Sequence, residues 1–367
     1  MKVLELFGEP ISNGGQESFV ISVVSHINDD SIHIDLLTPY YCDNTYYEEI
    51  IKRRGGKVYS LGVKFNPGGD RRSIIAPLSS FFKKNSYDVV HIHSGSISVL
   101  TFAAKVSKRA GVKMVITHSH CGIERPGIKN TLLRYGAALS MKKNVDLYCA
   151  CSYEAAIAKY PKMIAEKALI IKNGVDLNKF AFNNEKRDAF RNKLNIPGDT
   201  VVIGHVGRFN AQKNHSFLLD VFCEFHKEYP KSILILVGSG ELKKDIENKA
   251  KNLCIHNYIR FIGNVDNVED YMQIMDVFAL PSLFEGLPIV GVEAQASGLP
   301  VIVSQNVSKE LAITPNVVFS RMFSIPEWKE LLYKASKRGR QDVSGEIEQA
   351  GFSIALTANK IIEIYKT

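Results

Sequence analysis

Between Val277 and Ser304 the chain reads VFALPSLFEGLPIVGVEAQASGLPVIVS. Two short apolar runs, VFALPS (277–282) and LPVIVS (299–304), flank a stretch of helical character over 289–297. Near-continuous apolar runs mark strands buried on both faces, as in parallel sheets. Pro288 suits a first helical turn and Gly298 a helix C-terminus. Strand, helix and strand in that order predict a βαβ unit.

The same alternation extends in both directions. Upstream lie VVIGHVGRF (201–209), SILILVGSG (232–240) and IRFIGNV (259–265), with helices expected near 214–228, 240–252 and 267–275. The first half repeats it in KVLELFG (2–8), IHIDLLTP (32–39), DVVHIHS (88–94), KMVITHS (113–119), LYCACS (147–152) and ALIIKNG (168–174). Helices are expected there near 15–27, 45–54, 73–85, 96–110, 126–143 and 152–160. Residues 183–200, NNEKRDAFRNKLNIPGDT, are polar and read as part of the joint between two doubly wound α/β domains. The expected boundaries are 1–172 and 173–352, with the apolar-periodic tail 353–367 packing back on the first. Open sheets of this kind bind ligands at the carboxyl ends of their strands, so two facing sheets would form a cleft.

Composition agrees with two domains: 367 residues, 45% of them apolar. No apolar run is long enough to cross a membrane. MKVLELFGEP lacks the pattern of a secretory leader and reads as a buried first strand. The six scattered cysteines form no C-x-x-C pair, pointing to reduced thiols and a cytoplasmic location. The formal net charge of +8 is unevenly placed. Residues 1–172 hold 23 Lys/Arg against 15 Asp/Glu, while 173–367 hold 23 of each. A basic first half suits an anionic partner, though a lysine-rich solvated face gives the same count.

Several loops can carry chemistry. EPISNGGQES (9–18) opens the first helix, and Gly14 and Gly15 there allow close approach to a ligand at a helix start. The loop is not G-x-G-x-x-G, and two glycines also make a plain turn. GRFNAQKN (207–214) places Arg208 and Lys213 at a strand's carboxyl end, two cations suited to a diphosphate. THSH (117–120) puts His118 and His120 on one side of a strand; without a third ligand they make a poor metal site. HIHS (91–94), with His91 and His93, reads as strand core. In the opening stretch, Glu285 sits on the turn before the helix and Glu293 within it. Both carboxylates can accept hydroxyl hydrogens beside the backbone amides of Gly286, Leu287 and Ile289.

With these residues in place the chain resembles the GT-B glycosyltransferases of family GT4, the retaining, metal-independent class, of bacterial capsular and exopolysaccharide type. EGLPIVGVE carries the family's E-x7-E element; GRFNAQKN, NGG, THSH, NGVD (173–176), VGSG (237–240) and FIGNV (261–265) support it. The resemblance implies two Rossmann-like domains facing across a cleft, the first for the acceptor and the second for a nucleotide-sugar donor, with UDP expected. It assigns the diphosphate to Arg208, Lys213 and the amides of Gly286 and Leu287, the donor sugar to Glu285 and His118, and the ribose to Glu293. It puts the base against the backbone of Phe261 to Gly263 and brings Gly15 near the phosphates or the acceptor. His120 is close enough to take the role of His118. No D-x-D occurs, so no divalent metal and no cofactor is expected. The expected acceptor is a glycan or an undecaprenyl-diphosphate-linked sugar, met at an anionic inner-membrane surface; no nucleic acid is expected. Its pocket would come from loops such as 40–48, 64–72 and 121–130. Two other readings fit less well: a nucleotide-sugar epimerase of the same fold, and a sugar-nucleotide or glycan-binding protein without catalysis.

Overall fold

The structure, a computed structural model, describes residues 1–12, 14–120 and 128–367, the side chains of 128–133 excepted. The expected 121–130 loop therefore lies largely outside the described residues, as do Asn13 and Cys121. The chain divides into two compact units, Met1–Gly174 with Ile354–Thr367, and Val175–Ser353.

The first unit is a parallel seven-stranded sheet. Its strands are β1 (Lys2–Phe7), β2 (His33–Thr38), β3 (Val58–Ser60), β4 (Val89–His93), β5 (Met114–Ser119), β6 (Leu147–Ala150) and β7 (Leu169–Ile170), in the order β3-β2-β1-β4-β5-β6-β7. Helices α1 (Gly15–His26), α2 (Thr45–Arg53), α3 (Ile75–Phe82), α4 (Ile97–Arg109), α5 (Ile128–Asn144), α6 (Tyr153–Lys159) and α7 (Lys162–Ala165) connect them. Successive residues of a strand point to opposite faces. Leu4 and Leu6 of β1 therefore join one core cluster, and Val3 and Phe7 join the other.

The second unit repeats the plan with six parallel strands. They are β8 (Val201–Val206), β9 (Ser232–Val237), β10 (Ile259–Gly263), β11 (Val277–Leu280), β12 (Val301–Ser304) and β13 (Val317–Ser320), ordered β10-β9-β8-β11-β12-β13. Its helices are α8 (Leu177–Phe180), α9 (Asn184–Lys193), α10 (His215–Glu228), α11 (Lys243–Asn252), α12 (Val268–Ile274), α13 (Ile289–Ala296), α14 (Ile325–Arg338) and α15 (Ser344–Gln349). The last helix, α16 (Ile354–Lys366), belongs to the first unit. Ile354, Ala358, Ile361 and Tyr365 lie on one side of it and join the core cluster of Phe19 and Val23 from α1. In each sheet the strand order reverses beside the first strand, at β1/β4 and at β8/β11. Ligands of open α/β sheets bind at such switch points.

The polar stretch 183–200 is not an open joint. It holds α9, capped by the Asn183 side chain, which accepts the Lys186 amide hydrogen. Arg191 of α9 is buried and donates to the carbonyls of Ile274, Pro197 and Thr200. Pro288 is the N-cap of α13, which begins at Ile289. Three further elements had no counterpart in the sequence reading: the edge strands β3 and β13, and α14 with its buried Trp328.

Candidate active site

The second unit assembles its loops by close backbone approach. Gly207 donates to the Val237 carbonyl at 2.9 Å, Phe209 to Ser239 at 2.9 Å, and Gly238 to Gly263 at 2.8 Å. A Cβ on Gly238 would stand 2.3 Å from the Gly207 carbonyl oxygen, and Gly238 has φ +130°. Only glycine fits there. The loops after β8, β9 and β10 are thereby laced into one rim at the carboxyl ends of their strands. Gly207 also leaves room for the Lys213 stem, whose Cδ and Cε lie 3.1 Å from where a Cβ would be.

Lys213 and Glu285 meet on this rim. Lys213 Nζ is 2.6 Å from Glu285 Oε1, with side chains only 15% and 8% exposed. Ser282 Oγ donates to the same oxygen at 2.6 Å. Two loops distant in sequence are thus fastened beside α13. The amides of Gly286, Leu287 and Ile289 have no hydrogen-bond partner among the described residues, and a Cβ on Gly286 would meet nothing within 4 Å. They are uncommitted donors at a helix start, where a negative group is favoured.

Arg208 is placed differently. Its Nε pairs with Glu241 at 3.2 Å, the side chains being 72% and 57% exposed. Both cations expected to hold an anion are therefore held by carboxylates, Lys213 tightly and Arg208 loosely. Glu293 lies inside α13, partly buried, and its carboxylate accepts no hydrogen bond from the described residues. Burial pushes its pKa up to about 7; Lys179 opposes this and Glu269 adds to it. Lys179 itself pairs with Glu269 at 3.2 Å. Phe261 and Gly263 close the rim at the end of β10, where the pairing with β9 slips by one residue and Gly263 has φ +87°.

Glu241, Ser282, Lys179 and Glu269 escaped the sequence reading because only tertiary contacts place them at the site. His205 and His215 escaped it too. They bracket the 207–214 loop and pack edge to face, ring centroids 4.6 Å apart, beneath it. Burial first, and then the Lys213 charge, lower the His215 pKa to about 4. A separate cavity of about 530 Å³ in this unit is lined by Arg187, Asp276 and Arg340 and contains none of the expected site residues.

The first unit offers other chemistry at its switch point. Gly14 is the N-cap of α1, but the chain's own Glu17 carboxylate sits there, accepting backbone amide hydrogens from Glu17 and Ser12. Burial, with Glu9 adding to it, raises the Glu17 pKa to about 7. Glu9 accepts from Ser94 Oγ at 2.9 Å and Gln16 Nε2 at 3.5 Å. The expected anion position at Gly14 and Gly15 thus holds a carboxylate, with a second one nearby. His118 is fully enclosed, because alternation along β5 turns it under α1 against Phe19, with ring centroids 5.3 Å apart. His120, two residues on, is partly exposed.

Two parallel sheets of this order, each with polar loops at its switch point, define a two-domain α/β protein with Rossmann topology in both halves. Comparison with known proteins narrows this. The profile described as Glycosyltransferase Family 4 matches residues 13–179, and that of Glycosyl transferases group 1 matches residues 186–321. A putative glycosyltransferase EpsF of Bacillus subtilis is 29% identical over 97% of this chain and 94% of that protein. The UDP-Gal:alpha-D-GlcNAc-diphosphoundecaprenol alpha-1,3-galactosyltransferase of Escherichia coli is 32% identical over 64% of this chain and 62% of its own length. Among solved structures, Anabaena Alr3699/HepE in complex with UDP and glucose superposes over 100% of both chains with a TM-score of 0.79 at 19% identity, a likeness of fold. The chain belongs to the family 4 glycosyltransferases and has the GT-B fold.

Proposed function

We propose that this glycosyltransferase moves a sugar from a UDP-sugar to a lipid-linked glycan, with retention of anomeric configuration and without a metal on the diphosphate. The second unit takes the donor. Lys213, Arg208 and the free amides of Gly286 and Leu287 receive the diphosphate, Glu285 the sugar hydroxyls, Glu293 the ribose, and the Phe261–Gly263 backbone the base. The observation that carries this reading is the Lys213–Glu285 pair at 2.6 Å beside three uncommitted amides. It sets a phosphate-binding cation and a hydroxyl-binding carboxylate one side chain apart, the spacing a sugar phosphate needs. The names of similar proteins agree with a UDP-sugar and with lipid-linked acceptors.

Catalysis then rests on fixed charge aimed at the leaving group. The acceptor hydroxyl attacks the anomeric carbon on the face the diphosphate leaves. The new C–O bond forms as the C–O bond to phosphate breaks, and the hydroxyl proton passes to a departing phosphate oxygen. The first unit meets the acceptor. Its Glu9 and Glu17 carboxylates suit sugar hydroxyls and disfavour a second phosphate at Gly14 and Gly15. The histidine facing the sugar is His118 if its ring is uncovered by the substrate, and His120 otherwise.

A thermal-shift screen with UDP-, GDP- and ADP-sugars, with and without added Mg²⁺, tests the donor. UDP-sugars alone should raise Tm, and Mg²⁺ should change nothing. A shift only with another nucleotide, or only with Mg²⁺, would overturn the reading. Slow hydrolysis of the donor separates an enzyme from a binder.

The membrane part rests on a surface of the first unit. Tyr135 and Leu139, one turn apart on α5, are exposed, as are Ile157 of α6 and Met163 of α7. Arg134 donates to the Ile157 carbonyl at 2.6 Å, and Lys142 Nζ lies 3.9 Å from Met163 Sδ, so these helices present one apolar face with lysines at its edge. Each lysine near an anionic bilayer contributes about 1 kcal/mol. Among the described residues no helix is long and apolar enough to cross a membrane. Co-sedimentation with vesicles containing phosphatidylglycerol should be lost in a Tyr135→Ser, Leu139→Ser double variant; unchanged binding would remove this face from consideration.

A further inference from the structure

Four histidines that the sequence places in two separate motifs form one buried cluster. Parallel pairing sets His93 of β4 opposite His118 of β5. His91 and His93 then stack at 4.1 Å between ring centroids, and the His118 ring stacks on His120 at 4.3 Å. Across the strands, His91 Nε2 lies 3.2 Å from His118 Nδ1, and His93 Nδ1 lies 2.9 Å from His120 Nε2. One ring nitrogen from each of His91, His93 and His118 lies within 4.8 Å of the other two. We propose that His91, His93 and His118, joined by His120, bind a zinc-class divalent cation inside the first unit, with Glu5 and Tyr365 fixing the rings from outside.

The hydrogen bonds around the cluster have the required sense. Glu5, as carboxylate, accepts from His93 Nε2 at 2.7 Å and from Tyr365 Oη at 2.5 Å, while His91 Nδ1 meets Tyr365 Oη at 2.7 Å. His93 Nδ1 and His91 Nε2 are therefore the lone-pair nitrogens, and both face the other pair of rings. A histidine that donates its outer N–H to a carboxylate or a fixed oxygen is the usual metal-binding arrangement. Tetrahedral zinc with Zn–N of about 2.0–2.1 Å needs nitrogens about 3.4 Å apart. The observed 3.2 and 2.9 Å edges need only a small opening.

Metal-free, the protons of the two short contacts sit on His118 Nδ1 and His120 Nε2. Binding requires them to move to the other nitrogen of each ring. His118 Nε2 and His120 Nδ1 are buried and have no hydrogen-bond partner, so nothing holds either ring in its present tautomer. No proton needs to leave the cluster. Glu5 offsets one of the two positive charges. His120, the partly exposed member, gives the ion its entry. Imidazole nitrogens select zinc, cobalt or nickel over magnesium, so this site is independent of the diphosphate chemistry in the second unit.

The test uses untagged full-length protein, dialysed against EDTA and titrated with Co²⁺. We expect one Co²⁺ per chain, visible d–d bands of a nitrogen-rich low-coordinate ion, displacement by Zn²⁺ and a higher Tm with Zn²⁺. X-ray absorption of the zinc form should show at least three imidazole nitrogens. His93→Ala and His118→Ala should each weaken binding by at least about 100-fold, and Glu5→Gln by about 10–100-fold. His226→Ala, in the second unit, should not change it. Failure of wild-type protein to bind Co²⁺ or Zn²⁺ stoichiometrically overturns the proposal, as does a shell with fewer than three nitrogens. Neither readout depends on a variant folding. Magnesium-dependent donor binding would overturn the reading of the second unit and leave this one standing.

Discussion

The two units share a strand order and differ in what they put at its switch point. In the second, the loop after the first strand carries Arg208 and Lys213 on a rim laced by glycines, and the facing turn carries uncommitted amides. In the first, the matching loop is occupied by Glu9 and Glu17, and four enclosed histidines lie on the sheet beside it. The same topology is thus equipped for an anion in one unit and for neutral hydroxyls in the other. Topology fixes where a ligand binds; the side chains of two or three loops fix which kind.

The sharpest way to break this contrast is at Lys213. In Lys213→Ala the Glu285 carboxylate stays buried without its cation, which should cost about 3 kcal/mol of stability, read by urea denaturation. Transfer should fall roughly 10²–10³-fold, since one preorganised positive group is removed from the leaving diphosphate. Arg208→Ala, at an exposed pair, should leave stability within about 1 kcal/mol of wild type. If both variants lose stability equally, the two cations are not held as differently as their exposures indicate.

The parts of this contrast that could be read in the sequence are those set by local pattern. Central strands such as β8 and β11 are near-continuous apolar runs, and the turn-plus-helix carrying Glu285 and Glu293 has its own punctuation. The edge strands β3 and β13 are short and only partly buried, so they leave no apolar run to detect. Helix α9 is polar because nearly all of it faces water and the side chain it buries is an arginine. Helix α14 did carry a signal, Ile325, Trp328, Leu332 and Ala335 at helical spacing, that was not used. The histidine cluster was hidden for a different reason: HIHS and THSH become one site only through the register of β4 on β5.

Glycine substitution sharpens the contrast at the backbone. Gly238→Ala puts a methyl group against the Gly207 carbonyl and forces a side chain onto a positive φ, with only backbone to yield. Roughly 3 kcal/mol should be lost, and donor binding with it. In Gly14→Ala the obstacle is the end of the Glu17 side chain, 2.3 Å away, which can swing aside. Losing that internal cap should cost about 1 kcal/mol or less. Comparable losses in the two alanine variants, read by thermal denaturation, would show that the first unit's loop is as rigid as the second's.

The smallest effect concerns pH and separates Glu293 from its neighbours. Its pKa is raised from 4.5 to about 7, chiefly by burial. Between those values the folded protein keeps a proton that the unfolded chain has lost, so this group's contribution to stability falls as pH rises across that window. Binding should run the other way. A ribose hydroxyl bonds best to the ionised carboxylate, so affinity for a UDP-sugar should climb by up to about tenfold per unit as pH rises toward 7, then level off. The donor's diphosphate does not titrate there, which makes UDP-glucose a cleaner probe than UDP. Glu293→Gln should bind more weakly at pH 8 but with a flat profile over this range. A wild-type profile already flat from pH 6 to 8 in calorimetric titration would mean that Glu293 is not the residue gripping the ribose.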